Sequence, residues 1–494
     1  MSEWIAIDAP GASIKAAAPT WFVMRLVASK EIRDLYRDGR FWCAVATVLL
    51  LIFSCTALSW QDYTMRQTAR TETEQVVRHQ WETQGEKDAH SGAHFGQYAF
   101  TPETALAAID PGIRANTGTA VWLEPHRRNM FRFKPVEDLN SAVRFGVLTP
   151  SFLLQVIIPL FLIFFSFSSV AGERESGTLR LAFSLGVTRL QFFAGKTCGM
   201  LTAAIPLVML LLAAVLCIAG YGTETASGDL WLRALLLVPL YGVYWSIWIF
   251  VGLGVSCWTR TAQHALVILL AVWVVATVLA PRAGTFIADQ LAPPLSGQLF
   301  ADGIRDDLEK GLDGVSPPEK RYQEFVQKTL SDYGVRSLDE VPVAVMGLRL
   351  RWGDAYSEQV HDKHFDALHR NWREQARLAL LTAAFSPLPA TSALSQSLSG
   401  TDVEAHIRFS QASEMYRREF INRTSDEVTR TGHGTAPRPK SGPALWREIE
   451  RFNYQPPSIS AMLRDQRASL ALLTLWLVLS AAFAYRSFEK MSVW

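Results

Sequence analysis

Histidine is the residue type with the most obvious capacity for chemistry in this chain. His90 and His94 stand four positions apart in "AHSGAHF", His126 follows in the same polar block, and His361, His364 and His369 cluster in a second block. Imidazoles at such spacings are able to hold zinc or copper. Their surroundings argue otherwise. Gly92 and its turn-forming neighbours make helical geometry doubtful at 90–94, no Glu completes an H-E-x-x-H pattern, and no cysteine assists. "HDKHF" lies in a densely charged stretch, where a solvated helix face is expected. Neither cluster is therefore expected to bind a metal. Gly195-Lys196-Thr197 is a second candidate, as the end of a phosphate-binding loop. Such a loop needs a glycine five positions before its second glycine, and Leu190 stands there. No G-x-S-x-G elbow is present either. The sequence nominates no catalytic residue and no directly bound cofactor.

The elements that would position these residues follow from the apolar runs. The chain is 49% hydrophobic and 19% charged, and the charges are concentrated in blocks. That leaves runs at 41–60, 151–171, 198–220, 232–257, 262–281 and 466–486. A bilayer core of roughly 30 Å takes about 20 helical residues, so the expected fold is an all-α polytopic membrane protein with six spans. The net charge of +2, with no strongly basic block, excludes nucleic acid as a partner. Arg25, Lys30, Arg33, Arg37 and Arg40 precede the first run. Arg174, Arg180, Arg189 and Lys196 fall between the second and third, Arg260 between the fourth and fifth, and Arg486 and Lys490 after the sixth. By the positive-inside rule both termini and the 172–197 loop are cytoplasmic, and blocks 61–150 and 282–465 lie outside. All five cysteines sit in or beside the runs, as apolar packing residues. The first run is expected to act as an uncleaved signal anchor.

Residues 1–20 are expected to form a poorly ordered tail and 487–494 a short cytoplasmic one. Over 21–40, Met24, Ala28, Ile32, Leu35 and Tyr36 share one helical stripe, opposite Lys30, Arg33, Asp34 and Arg37. This predicts an amphipathic helix lying in the membrane interface, in contact with lipid. A strand is expected at 118–124, and helices over 299–312, 318–333, 353–381 and 402–425. The uncharged segment 383–400 is expected to rest near the membrane surface, and 426–443 to be a mobile loop. Ion-coupled transporters place ionisable groups within their spans. These spans hold almost none away from their ends, so energy for any transport should come from elsewhere. Gly242, Ser246, Gly252 and Gly254 in the fourth run would allow close helix packing.

The 172–197 loop reads as an acidic pair, Glu173 and Glu175, then Gly177-Thr178-Leu179, a short amphipathic helix, a turn at Gly186 with Thr188 and Arg189, and a closing Gly195-Lys196. This order resembles the coupling-helix region of ABC-2-type transporter permeases. The helix before the first span, the six-span core and the two large outer insertions resemble the subfamily related to gliding-motility permeases. Leu185-Gly186 stands where the family often has proline. The resemblance implies an exporter subunit of a bacterial inner membrane with no ATPase site of its own. A separate cytoplasmic ATPase would dock on residues 173–196, ATP would act only through that partner, and a second permease, identical or related, would complete the path. Glu173 and Glu175 would make charge-assisted contacts to the ATPase, Leu179 and Leu181 would form the apolar anchor, and Lys196 would sit at the cytoplasmic interface. The alternative reading is a membrane-anchored receptor or sensor whose outer blocks bind a ligand; a membrane-embedded enzyme is a third.

Overall fold

The computed structural model describes residues 19–138, 148–221 and 228–492. Most of the expected N-terminal tail, the stretch 139–147 and the acidic turn around Glu224 lie outside the described residues. Among the described residues, six helices are long and apolar enough to cross a membrane: Phe41–Glu82, Pro150–Glu175, Arg189–Tyr221, Asp229–Trp258, Ala262–Leu291 and Arg467–Lys490. They are spans one to six below. Among the described residues, sheet is confined to five short strands: β1 Lys87–Asp88, β2 Gln97–Phe100, β3 Ala120–Glu124, β4 Arg127–Arg128 and β5 Lys440–Ser441. The chain is an all-α polytopic membrane protein. Leu50, Phe53, Met209 and Val267 turn large apolar side chains outward from the spans, as a lipid-facing surface requires.

Span one belongs to a single helix of 44 residues, Gly39–Glu82, about 66 Å long at 1.5 Å per residue. That is more than twice a bilayer core, so its polar second half must stand clear of the apolar layer. This half is laced by i,i+4 pairs such as Arg70–Glu74 at 2.7 Å. It ends on Trp81, whose ring meets Phe420 and Trp446 and whose Nε1 donates to Trp446 O at 2.8 Å. The two polar blocks, 61–150 and 282–465, thereby share one apolar core. β1 pairs with β5, and β2, β3 and β4 form an antiparallel sheet. The helices Val345–Leu380 and Val403–Thr431 pack against each other over that core. The expectation of a mobile loop at 426–443 is corrected here: the helix continues to Thr431, and Lys440 and Ser441 pair with Asp88 and Lys87.

Span four is the hub of the membrane part, with Ala234, Leu237, Tyr241, Tyr244, Trp245 and Trp248 buried against its neighbours. Two of its small residues permit this. A Cβ at Gly252 would lie 1.9 Å from Ser166 Oγ of span two, and one at Gly254 would lie 2.4 Å from Phe483 of span six. Gly242 has open space around it. Span two carries a π-helical turn, Leu153–Ile157, which releases carbonyls from the regular ladder. Aromatic donors take them up. Tyr244 OH donates to Gln155 O at 2.7 Å, Trp245 to Leu154 O at 3.0 Å and Trp273 to Val156 O at 3.0 Å.

The segment 383–400 does not rest on a surface. Its helix Leu388–Ser399 buries Leu388, Thr391, Leu394, Ser395 and Leu398. Ser395 Oγ meets Tyr241 OH at 2.8 Å, about 20 Å along span four from its Gly228 end. Having no charge to desolvate, the segment is free to enter, and its hydroxyls find partners inside. Ser395 Oγ also donates to Asp110 at 2.5 Å, and Ser392 Oγ to Gln155 Oε1 at 2.5 Å. Asp110, Gln155, Tyr241 and Ser395 form one buried polar network joining the two polar blocks to spans two and four.

Candidate coupling site

The end of span two and the segment that follows it carry two short helices, Ala171–Glu175 and Thr178–Ser184. Gly177 and Gly186, at φ +77° and +86°, bracket the second in a backbone region that side-chain-bearing residues rarely adopt. Span three then starts with a reciprocal cap: Gln191 N donates to Thr188 Oγ1 at 3.2 Å, and Thr188 N to Gln191 Oε1 at 2.9 Å. Other spans hold the segment. Ser256 Oγ of span four accepts from Val170 N and Ala171 N, both at 3.0 Å, and donates to Phe167 O at 2.7 Å. Arg174 donates to Cys257 O at 2.9 Å, to Thr259 O, and to Ser492 O at 3.1 Å, and so satisfies orphan carbonyls at the end of span four. Arg189 donates to Glu489 O at the end of span six.

Lys196 lies at the centre. Its ammonium donates to Ser169 O at 2.7 Å, to Glu173 Oε1 at 2.7 Å and to Glu31 Oε2. Ser169 Oγ donates to Glu31 Oε1 at 2.5 Å, and Lys30 reaches Glu173 from above. Lys196 is 1% and Glu31 5% exposed, so these two charges balance away from water, while Lys30 reaches Glu173 from the exposed side. Burying such charges is tolerable only when each is paired and hydrogen-bonded. Glu31 belongs to the helix Thr20–Arg37, which seats directly on span three. A Cβ at Gly195 would lie 2.5 Å from Val27 Cβ, and one at Gly199 2.8 Å from Glu31 Cβ. Gly195-x-x-x-Gly199 is therefore a small-residue groove that receives the N-terminal helix and brings Glu31 to Lys196.

The family model described as ABC-2 family transporter protein matches residues 25–493. The chain belongs to the ABC-2 transporter family. This ABC-2 protein is accordingly a multi-pass membrane permease component of an ABC transporter, a family that works with an ABC ATPase and is a transport component rather than a catalyst. No curated protein and no solved structure matches the chain.

Within this ABC-2 permease the residues singled out from the sequence divide into two groups. Glu173, Lys196 and Lys30 meet in the buried network, and Leu179 is fully buried beneath the loop. Lys196 is thus not an interfacial residue: Glu31 and Glu173 draw it inside. Leu179 faces this chain's own core and presents no anchor to a partner. Glu175, Thr178, Arg189, Arg33 and Arg37 are exposed, and Leu181 stands outward at 59% exposure with Leu185 and Leu190 beside it. Sequence reasoning missed Glu31 and Ser256. Glu31 carried a signal: it continues the stripe of Met24 and Ala28, so an acid occupies a position where the pattern asks for an apolar residue. The glycines at 195 and 199 had the spacing of a helix-packing groove.

The histidines behave differently from expectation. His361 and His369 are buried rather than on a solvated face, while His364 pairs with Asp307 at 2.7 Å. Residues 89–93 do form a helix, because Gly92 is needed there for packing: a Cβ would lie 2.0 Å from the Trp446 ring.

Proposed function

We propose that this permease is the membrane half of an ATP-driven exporter of a bacterial inner membrane. A separate cytoplasmic ABC ATPase docks on the loop of residues 173–196, and a second permease, either a copy of this chain or a relative, completes the path. The observation that carries the reading is mechanical. The loop is fastened at its start through Glu173 and Arg174 and at its close through Arg189 and Lys196, while Leu181, Leu185 and Leu190 remain outward. A segment held at both ends moves as a body with spans three, four and six, and an apolar face is what a partner subunit would grip. Arg174, Arg260, Arg486 and Lys490 line one cleft beside the loop. That clustering of cations supports a cytoplasmic placement for this end and both termini, with the two large blocks outside.

Co-purification tests the reading. An ATPase subunit and a second permease should accompany the tagged chain, and vanadate-sensitive hydrolysis should appear in that complex and be absent from the isolated chain. In a cysteine-free background, Ser91→Cys and Ser441→Cys should react with an impermeant maleimide in intact spheroplasts, whereas Ser2→Cys should need permeabilisation. Labelling in the opposite sense would remove the loop from the ATPase's side.

A cavity of about 900 Å³ lined by Arg233, Thr401, Asp402, His406 and Tyr454 among others favours the second reading, in which the outer blocks take up a ligand. Ligand capture by the isolated chain, with no ATPase partner recovered from the membrane, would be its signature.

A further inference from the structure

We propose that His90, His94 and His126 form a binding site for a divalent ion of the zinc or copper class, with Asp354 orienting the third ligand. His90 Nε2 lies 3.1 Å from His94 Nε2 and 3.4 Å from His126 Nε2, and the three ligand atoms all lie within 4.8 Å of one another. Three imidazoles around a tetrahedral ion, with metal–nitrogen bonds of 2.0–2.1 Å, place their nitrogens about 3.3 Å apart. Core packing rarely aims three ring nitrogens at one point, because each neutral imidazole has a single N–H to share.

Each residue is held in place by a distinct device. Asp88 caps the helix Ala89–Ala93 by accepting from Ser91 N at 3.1 Å, and Gly92 presses on Trp446. His90 and His94 are thereby one turn apart on the same face. His126 comes from Pro125-His126, the two-residue turn between β3 and β4, in which Glu124 pairs with Arg127. It has φ +69°, a conformation suited to glycine that costs a residue with a side chain roughly 1–3 kcal/mol. The strain sends its ring towards the other two histidines. Ser357 Oγ fixes the His126 carbonyl at 2.5 Å. Asp354 accepts from His126 Nδ1 at 2.8 Å, which leaves Nε2 with its lone pair pointing into the cluster. A buried carboxylate on the far nitrogen is the usual support of a metal-ligating histidine.

The donor set selects the ion. Three imidazole nitrogens with no thiolate suit zinc or copper(II) over calcium or magnesium. His90 is buried, whereas His94 and His126 are exposed, so solvent reaches the fourth position and water or a substrate group is able to occupy it. His90, His94 and His126 belong to the first outer block and Asp354 to the second. An ion here would fasten the helical turn to the β3–β4 turn and, through Asp354, to the long helix Val345–Leu380.

The test uses the full chain in detergent, without a polyhistidine tag, stripped with chelator and dialysed against zinc alone. One zinc per chain is expected, and cobalt in its place should give visible d–d absorption. The double variant His94→Ala/His126→Ala should lose both signals, and the exposed control His79→Ala should keep them. Asp354→Asn should weaken zinc binding about 10- to 100-fold. His126→Gly removes a ligand and relieves the backbone but strips buried Asp354 of its donor, so its metal-free melting is measured separately and zinc should no longer raise it. Zinc uptake by His126→Gly or by the double variant equal to the unaltered chain would overturn the proposal, as would failure of the folded, unaltered chain to take up zinc.

Discussion

Glu173 accepts a 2.7 Å hydrogen bond from Lys196, so the start of the 172–197 loop is tied to the span that leaves it. Both groups also meet the N-terminal helix, Glu173 through Lys30 and Lys196 through Glu31. The arrangement is a neutral quartet. Removing Lys196 or Glu31 strands a buried charge, which typically costs 3–5 kcal/mol, whereas removing that matched pair costs far less. Lys196→Met should therefore lower thermal stability in detergent sharply, and Glu31→Gln/Lys196→Met should recover most of the loss. If the double variant is as unstable as Lys196→Met alone, the quartet is not what fastens the loop.

The groove under the N-terminal helix makes a separate prediction about shape. Gly195→Ala places a Cβ where Val27 already stands, and Gly199→Ala one against Glu31. Overpacking of this kind costs about 1–3 kcal/mol and should displace the helix, which protease sensitivity near Arg25 would report. Gly242→Ala, with nothing within 4 Å of its Cβ, should leave both stability and protease sensitivity unchanged.

The spans were legible because apolar runs of membrane length have few other uses, and Gly177 and Gly186 announced the loop's turns. The fate of Lys196 was not legible, because its partner Glu31 is 165 residues away and a lysine beside a span reads as interfacial until a carboxylate is brought to it. The helix Leu388–Ser399 misled for a related reason. Its hydroxyls suggest water, and their actual partners, Asp110, Gln155 and Tyr241, come from distant segments. At 90–94 the glycine read as a helix breaker, and only the Trp446 ring packed on it explains why a glycine is there.

Two buried histidines give the polar block 282–465 a pH dependence. Burial pushes His406 down to about 4, and burial with Arg128 and Arg373 pushes His369 down to about 3. Both are neutral in the folded chain at pH values where the unfolded chain, with an ordinary value near 6.5, takes up protons. Their contribution is fully present above pH 6.5 and is lost as pH falls towards 4. At 1.36 kcal/mol per unit, His406 alone accounts for roughly 3 kcal/mol when the loss is complete. Melting temperatures in detergent should fall between pH 6.5 and 4.5. His406→Phe, which keeps an aromatic ring against Phe131, whose centroid lies 4.6 Å from that of His406, should flatten part of that fall. An unchanged slope would assign the acid sensitivity to other groups.

The two faces of the loop predict opposite behaviour for neighbouring leucines. Leu179 is fully buried and Leu181 is 59% exposed, although both lie on the helix Thr178–Ser184. Leu179→Ala opens a cavity beneath the loop and should cost about 2–5 kcal/mol of stability, whether or not a partner is present. Leu181→Ala with Leu185→Ala removes only outward surface, so the melting temperature of the isolated chain should stay put. If an ATPase grips this face, the same double variant should lose the partner in pull-down, since truncating a central apolar contact typically costs about 2 kcal/mol or more of binding, or should uncouple hydrolysis from transport. Stability and association are therefore separable within one helix. A stable Leu181→Ala/Leu185→Ala chain that still recovers the ATPase and still transports would place the grip elsewhere. The cleft of Arg174, Arg260, Arg486 and Lys490 would then be the next surface to alter, because it is the other feature at that end that a partner subunit is able to reach.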